Sequence, residues 1–244
     1  VRSGPNRHQA RPGTGIVVLS ISAGYQTRTE VVPLPGGDLH IRGLLDRQQF
    51  HDPSGEAEAA GISSAAWPLF GLIWPSGRML AAHMQTFDIA GKQVLEVGCG
   101  LALASLVVHR RQGNITASDC HPLTAEFLRH NLINNCLLPM AYTCGNWAVE
   151  NAALGRFDLI VGSDVLYDRN QPALLSGFIA RHACATAEVL IVDPDRGNRP
   201  SFNRHMSAAG YRCEETRLHE LPQQGGHYKG RLLHYRRGNA DSGP

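Results

Sequence analysis

The chain has 244 residues, 43% hydrophobic and 18% charged, which excludes a disordered composition and allows one large domain or two small ones. A formal net charge of only +2 excludes an overall polybasic nucleic-acid binder. No apolar stretch approaches the ~20 residues that a bilayer-spanning helix needs.

Residues 1–28 are rich in Arg, Gly, Pro and Ser, with no acidic residue before Glu30. They read as a flexible leader. The alternative is an Arg-rich organellar presequence, which would place the protein in the mitochondrial matrix. Residues 29–66 read as an N-terminal hairpin and a lid segment. Val31–Leu34 and Leu39–Ile41 flank Pro35-Gly36-Gly37-Asp38, a reversal rich in glycine. Residues 48–66 are small and polar.

From Trp67 the pattern alternates strand and helix. A helix is expected from Pro75, with Met79, Leu80 and Met84 at helical spacing. Gln93–Val97 is a strand running into Gly98-Cys99-Gly100, followed by a helix from Leu101 to Val108. Ile115–Ser118 is a strand ending at Asp119. Pro122–Asn135 is a helix, and a strand near Met140–Cys144 ends at Gly145-Asn146-Trp147. Phe157–Gly162 is a buried strand ending at Ser163-Asp164. A helix over Gln171–His182 and a strand over Glu188–Val192, ending at Asp193, complete the alternation. A helix around Ser201–Ala209 and two late strands, near Tyr211–Leu218 and Tyr228–Tyr235, follow. Residues 67–237 are thus expected to form one α/β domain: a doubly wound, mostly parallel seven-stranded sheet. Residues 238–244 are a tail.

In such sheets ligands lie beyond the carboxyl ends of the strands. The unusual polar residues fall there. Gly98-x-Gly100 lets backbone approach a ligand, although glycine pairs also make ordinary turns. Leu103 stands where a GxGxxG dinucleotide fingerprint needs glycine. Glu96 beside the turn suits a cationic ligand better than a pyrophosphate. Asp119 can accept hydrogen bonds from ribose hydroxyls, or it is a helix N-cap. Trp147 can cover an adenine ring with Asn146 beside it, or it is a core aromatic. Together these residues describe an adenosine ligand with a positively charged tail and no phosphates, which S-adenosylmethionine fits.

At these residues the chain resembles the seven-strand, class I S-adenosylmethionine-dependent methyltransferases, and within them the lysine methyltransferase 16 family. The resemblance is carried by Trp74-Pro75-Ser76-Gly77 followed by Leu80-Ala81, by Val94-Leu95-Glu96-Val97-Gly98-Cys99-Gly100, by Asn131, by Gly145-Asn146-Trp147, and by Asp164-Val165-Leu166-Tyr167, which matches the DxxY motif. It spans residues 65–195. Pro68-Leu69-Phe70 and Asp193-Pro194-Asp195-Arg196-Gly197 resemble the branch acting on the β subunit of electron-transfer flavoprotein.

The resemblance implies that Trp74, Glu96, Gly98, Cys99, Gly100, Asp119, Asn146, Trp147 and Ser163 hold S-adenosylmethionine. It implies Asp164 and Tyr167 as the catalytic pair. Asp164 would hold the incoming ammonium or orient the amine, Tyr167 would align and enclose it, and Trp74 would lie over the cofactor. A protein lysine is the implied acceptor, and methyl transfer of this type needs no metal; the sequence itself carries no membrane span and no strong nucleic-acid signal. The cysteines form no CxxC pair and the histidines no HExxH. Thiols are expected to be reduced and the protein cytoplasmic. Two departures stand out. Ala102 replaces a third glycine; alanine is expected to be tolerated there if φ is negative, at the risk of crowding the cofactor's methionine end. Cys120 and His121, rather than acidic residues, follow Asp119. Two alternatives remain open: a methyltransferase acting on a small molecule, a nucleic acid or another side chain, and a non-catalytic cofactor-binding protein.

Overall fold

A computed structural model describes residues 18–22, 24–221 and 226–238. Its large sheet has seven strands: β4 (Gln93–Val97), β5 (Asn114–Asp119), β6 (Ala141–Cys144), β7 (Phe157–Ser163), β8 (Ala183–Asp193), β9 (Arg212–Glu220) and β10 (His227–Arg237). Their order is β6-β5-β4-β7-β8-β10-β9. The first five run parallel, while β10 is antiparallel to both β8 and β9. This is the expected doubly wound sheet, with the strand order reversing between β4 and β7.

Burial on both faces explains the continuous apolar runs of β4, β7 and β8. Successive side chains of a strand point to opposite faces. Val94, Leu159, Val161, Leu190 and Val192 enter one core with helices α2 (Pro75–His83), α3 (Leu103–Arg110) and α4 (Thr124–Asn134). Leu95, Val97, Ile160, Val189 and Ile191 enter the other with α5 (Gln171–His182) and α6 (Arg199–Ala208). A one-residue register slip would exchange the two sets, so register is strongly specified.

Ahead of this sheet lies a smaller antiparallel one, β1 (Val18–Ser22), β2 (Tyr25–Val32) and β3 (Leu39–Leu44). The expected hairpin is its β2–β3 pair, turned by Gly37 N–H donating to the Leu34 carbonyl at 3.1 Å. The leader boundary at residue 28 is corrected: Val18–Ser22 pairs with Tyr25–Thr29 as a third strand. Backbone pairing to β2 orders Val18–Ser22. Residues 1–17 lie outside the described residues. The 48–66 segment is mostly irregular and holds one short helix, α1 (Glu56–Ala59).

Two asparagines bind the small sheet to the large unit. Asn131 Oδ1 accepts the Arg42 N–H at 2.8 Å, and its Nδ2 donates to the Arg42 carbonyl at 3.3 Å. Asn135 does the same with His40, at 2.9 Å for both bonds. One turn apart, in the last turn of α4 and at its C-cap, the two amides face the same way and match every second residue of β3.

Candidate functional site

The parallel register brings the candidate residues to one edge. Val97 lies beside Ser118 and Gly162, Asp119 beside Cys144, and Ser163 beside Val192. The turn after β4 is built on alternate left-handed residues: Gly98 (φ 57), Gly100 (φ 50) and Ala102 (φ 59). Between them Cys99 and Leu101 are buried. A Cβ on Gly100 would lie 2.8 Å from the Phe70 carbonyl oxygen, and one on Gly98 would lie 2.9 Å from Val165. Both glycines are therefore required by space as well as by dihedral. Ala102 does not meet the condition set for its tolerance, because its φ is positive. Its N–H must reach the Cys99 carbonyl at 2.7 Å while its own carbonyl accepts the Leu106 N–H at 2.9 Å. A left-handed alanine costs about 1–2 kcal/mol relative to glycine conformationally, so this turn stores strain where the resemblance expects none.

Asp119, buried at the end of β5, fastens the turn from below. Its Oδ2 accepts the Gly100 N–H and its Oδ1 the His121 N–H, both at 2.9 Å. Burial raises its pKa against the pull of those amides. Each carboxylate oxygen keeps a further acceptor site. His121 stacks on Phe70 with ring centroids 3.7 Å apart, and its Nδ1 accepts the Leu123 N–H at 3.2 Å. Burial holds it neutral, with a pKa of about 4. It clamps the Trp67–Gly71 segment to the turn.

Glu96, 3% exposed, accepts the Ser105 N–H at 2.7 Å and the Ser105 hydroxyl on the same oxygen. Its carboxylate thus sits in the first turn of α3, where the helix dipole favours negative charge. Burial first, and then the Asp119 charge, raise its pKa to about 7. A carboxyl raised in the fold binds more protons folded than unfolded between its two pKa values. Stability therefore falls as pH rises from about 4.5 to about 7. Glu96→Gln removes that slope while its carbonyl keeps both Ser105 bonds. Urea unfolding is expected to show the variant gaining on the parent, on the order of 2 kcal/mol, between pH 5 and pH 8. A difference independent of pH would contradict the assignment.

The remaining candidates surround the turn. Trp147 is half-buried against the Gly98 face, 3.6 Å from the position of a Cβ there. Asn146 is exposed and its Oδ1 accepts the Ala148 N–H at 2.9 Å. Trp74 opens α2, its indole N–H donating to the Leu69 carbonyl at 2.9 Å. A Cβ on Gly77 in that helix would lie 3.7 Å from Ser163 Oγ, so the α2 start borders the end of β7. The Cys99 thiol is buried and its pKa is raised well above the usual range, which leaves it inert.

Asp164 follows β7 in a left-handed conformation (φ 54), its N–H donating to the Val192 carbonyl at 2.9 Å. Val165 and Leu166 anchor inward, while Tyr167 is 52% exposed. The Asp164 carboxylate is not free. Arg196 Nε donates to its Oδ1 at 2.5 Å and Arg196 Nη2 to its Oδ2 at 2.7 Å. Asp193, 1% exposed, stands next to this pair with its pKa raised to about 6, first by burial and then by Asp195. Tyr228, also buried, shares a 2.8 Å hydrogen bond with Ser76. Sequence reasoning missed Tyr228. The signal for Arg196 was its place among the carboxylates of Asp193-Pro194-Asp195-Arg196.

Comparison with known proteins adds an independent line. The lysine methyltransferase family model matches residues 66–206. The chain is 31% identical over 173 residues to electron transfer flavoprotein beta subunit lysine methyltransferase of Rattus norvegicus, covering 68% of this chain. It spans only 66% of that relative's own length. It is 28% identical over 119 residues to EEF1A lysine methyltransferase 3 of Mus musculus, covering 46% of this chain and 50% of the relative. Among solved structures, magnesium protoporphyrin IX methyltransferase of Synechocystis PCC 6803 with bound S-adenosylmethionine superposes with a TM-score of 0.53 at 16% identity. That match covers 67% of this chain and 80% of the other. A methyltransferase of Pyrococcus furiosus gives 0.55 at 18% identity, covering 76% of this chain and all of the other. At these identities the structures establish the fold.

Proposed function

The chain belongs to the lysine methyltransferase family, and from that premise we propose that it transfers a methyl group from S-adenosylmethionine to a lysine side chain of a protein. The carrying observation is the Asp164 carboxylate, only 10% exposed, at the strand end beside the glycine turn. It can accept N–H bonds from an amine delivered to that edge.

The residues fit the cofactor by charge. Glu96 and Asp119 are buried carboxylates whose burial disfavours ionisation. A cationic ligand beside them offsets that penalty, whereas a pyrophosphate would add to it. Asp119 would bind the ribose through its remaining acceptor sites, and Trp147 would flank the adenine. When bound, S-adenosylmethionine supplies a methyl carbon on a sulfonium, open to attack by a neutral amine. A lysine ammonium has a free pKa of about 10.4 and must lose a proton first. Asp164 orients it, while Tyr167 and Trp74 narrow the mouth and exclude water, which lowers the amine's pKa.

The narrower reading, in which the acceptor is the β subunit of an electron transfer flavoprotein, is supported by the identity to the rat relative. Among the described residues no helix is long and apolar enough to cross a membrane.

Incubating the protein with tritiated S-adenosylmethionine and whole-cell lysate tests the proposal. Label is expected in a protein band, on lysine by mass spectrometry. Label in RNA or in a small-molecule fraction, or cofactor binding without any transfer, would overturn it.

A further inference from the structure

The carboxylate proposed to receive the substrate amine already carries a cation. Arg196 binds it through two parallel N–H bonds, at 2.5 and 2.7 Å, so both oxygens are engaged. Such bidentate pairs are the strong class of ionic hydrogen bond. The Asp164 side chain is 10% exposed and the Arg196 side chain 42%. The carboxylate therefore depends on a cation, while the guanidinium can rehydrate freely.

The loop around Arg196 is fixed on both sides. Asp195 accepts from Arg199 at 2.6 Å and from Arg231 at 3.3 Å. Asn198 Nδ2 donates to the Leu166 carbonyl at 2.8 Å. Asp195 (φ 61) and Gly197 (φ 95) flank Arg196 as left-handed residues. The Arg196 side chain spans the gap to Asp164, and rotation about its own bonds would release it without requiring the loop to move.

We propose that Arg196 is a specificity-determining residue: its guanidinium holds Asp164 as an intramolecular competitor, which an amine displaces only when a docked protein surface delivers it. This rests on the reading of Asp164 as the amine-binding residue. A tethered partner acts at an effective concentration in the millimolar range or above. A free amine below that level loses to it, and an ammonium cannot match the two-pronged geometry. A lysine on a docked protein is itself tethered, competes on equal terms and gains access. The pair thus filters acceptors by delivery rather than by shape.

The test uses n-butylammonium chloride as the amine probe and tetramethylammonium chloride, which has no N–H donors, as the ionic control. Binding is followed through the Val165 backbone amide signal in the parent, Arg196→Met and Arg196→Lys. The half-saturating probe concentration is expected to fall ~10-fold in Arg196→Met, and less in Arg196→Lys. An unchanged or higher value in Arg196→Met overturns the proposal. Thermal melts of each variant confirm that it is folded at the temperature of the titration. The second arm uses the protein band labelled in lysate, with n-butylamine as competing acceptor. Arg196→Met is expected to shift methylation towards n-butylamine and to lower KM with kcat held. A lower kcat at unchanged KM would make Arg196 a positioning residue for Asp164 and overturn the filter. The binding arm needs no turnover, so it fails separately from the methyl-transfer reading, which falls if the parent labels no protein.

Discussion

Asp164→Asn is expected to lower kcat/KM for the protein acceptor by about 10³-fold while leaving cofactor affinity within about twofold. Asparagine suits the substitution because it also tolerates the left-handed backbone (φ 54) that aims this side chain. It preserves size and the N–H bond to the Val192 carbonyl. What it removes is charge, and with it the ability to hold an ammonium at a position only 10% exposed. Steady-state kinetics and calorimetric cofactor binding on one preparation separate the two effects. Retained turnover would sink the assignment of Asp164. A parallel loss of cofactor binding would mean instead that the mutation disturbed the turn.

Asp119→Ala is expected to act the other way round, weakening S-adenosylmethionine binding by about 100-fold. Part of the loss is the proposed ribose contact. The rest is structural, because the Gly100 and His121 N–H groups lose their acceptor. A buried unsatisfied amide costs about 1–3 kcal/mol, so the variant is also expected to unfold at lower urea. Adding saturating cofactor would restore kcat. A dissociation constant unchanged by the mutation would show that Asp119 only shapes the turn.

Much of the large sheet was legible because its strands are buried on both faces. Gln93–Val97, Phe157–Gly162 and Gln171–His182 announce themselves by apolar runs and helical spacing, and the structure has elements at each. Boundaries were legible only where composition changed. β8 begins at Ala183, five residues before the expected start at Glu188, because its first stretch holds small residues that are partly exposed and its ends are fixed by backbone pairing, Ala183 with Phe157 and Ala187 with Arg237. β1 was missed because the Arg-, Gly- and Pro-rich composition of residues 1–28 hid the short apolar run Val18-Leu19-Ser20-Ile21 that pairs with β2.

The site was legible as a set of strand ends and illegible as a set of contacts. Positions such as Glu96 and Asp119 follow from the alternation. That Glu96 turns to Ser105, and that Ala102 is left-handed, depends on dihedrals that composition does not encode. Arg196 and Asp164 are 32 residues apart. They meet because β7 and β8 are neighbours, a fact that needs the strand order.

The asparagine pair on α4 has a consequence for how the molecule comes apart. By standing in for a fourth strand, Asn131 and Asn135 remove one free edge of the small sheet. The helix that carries them starts just after the Asp119 turn and packs its Phe127 into the core shared with β4. The small sheet and the cofactor side of the large one therefore have a common wall. They should melt as one cooperative unit, so that loosening β3 is felt as lost order at the adenosine end, and ligand bound there should tighten a sheet it does not touch.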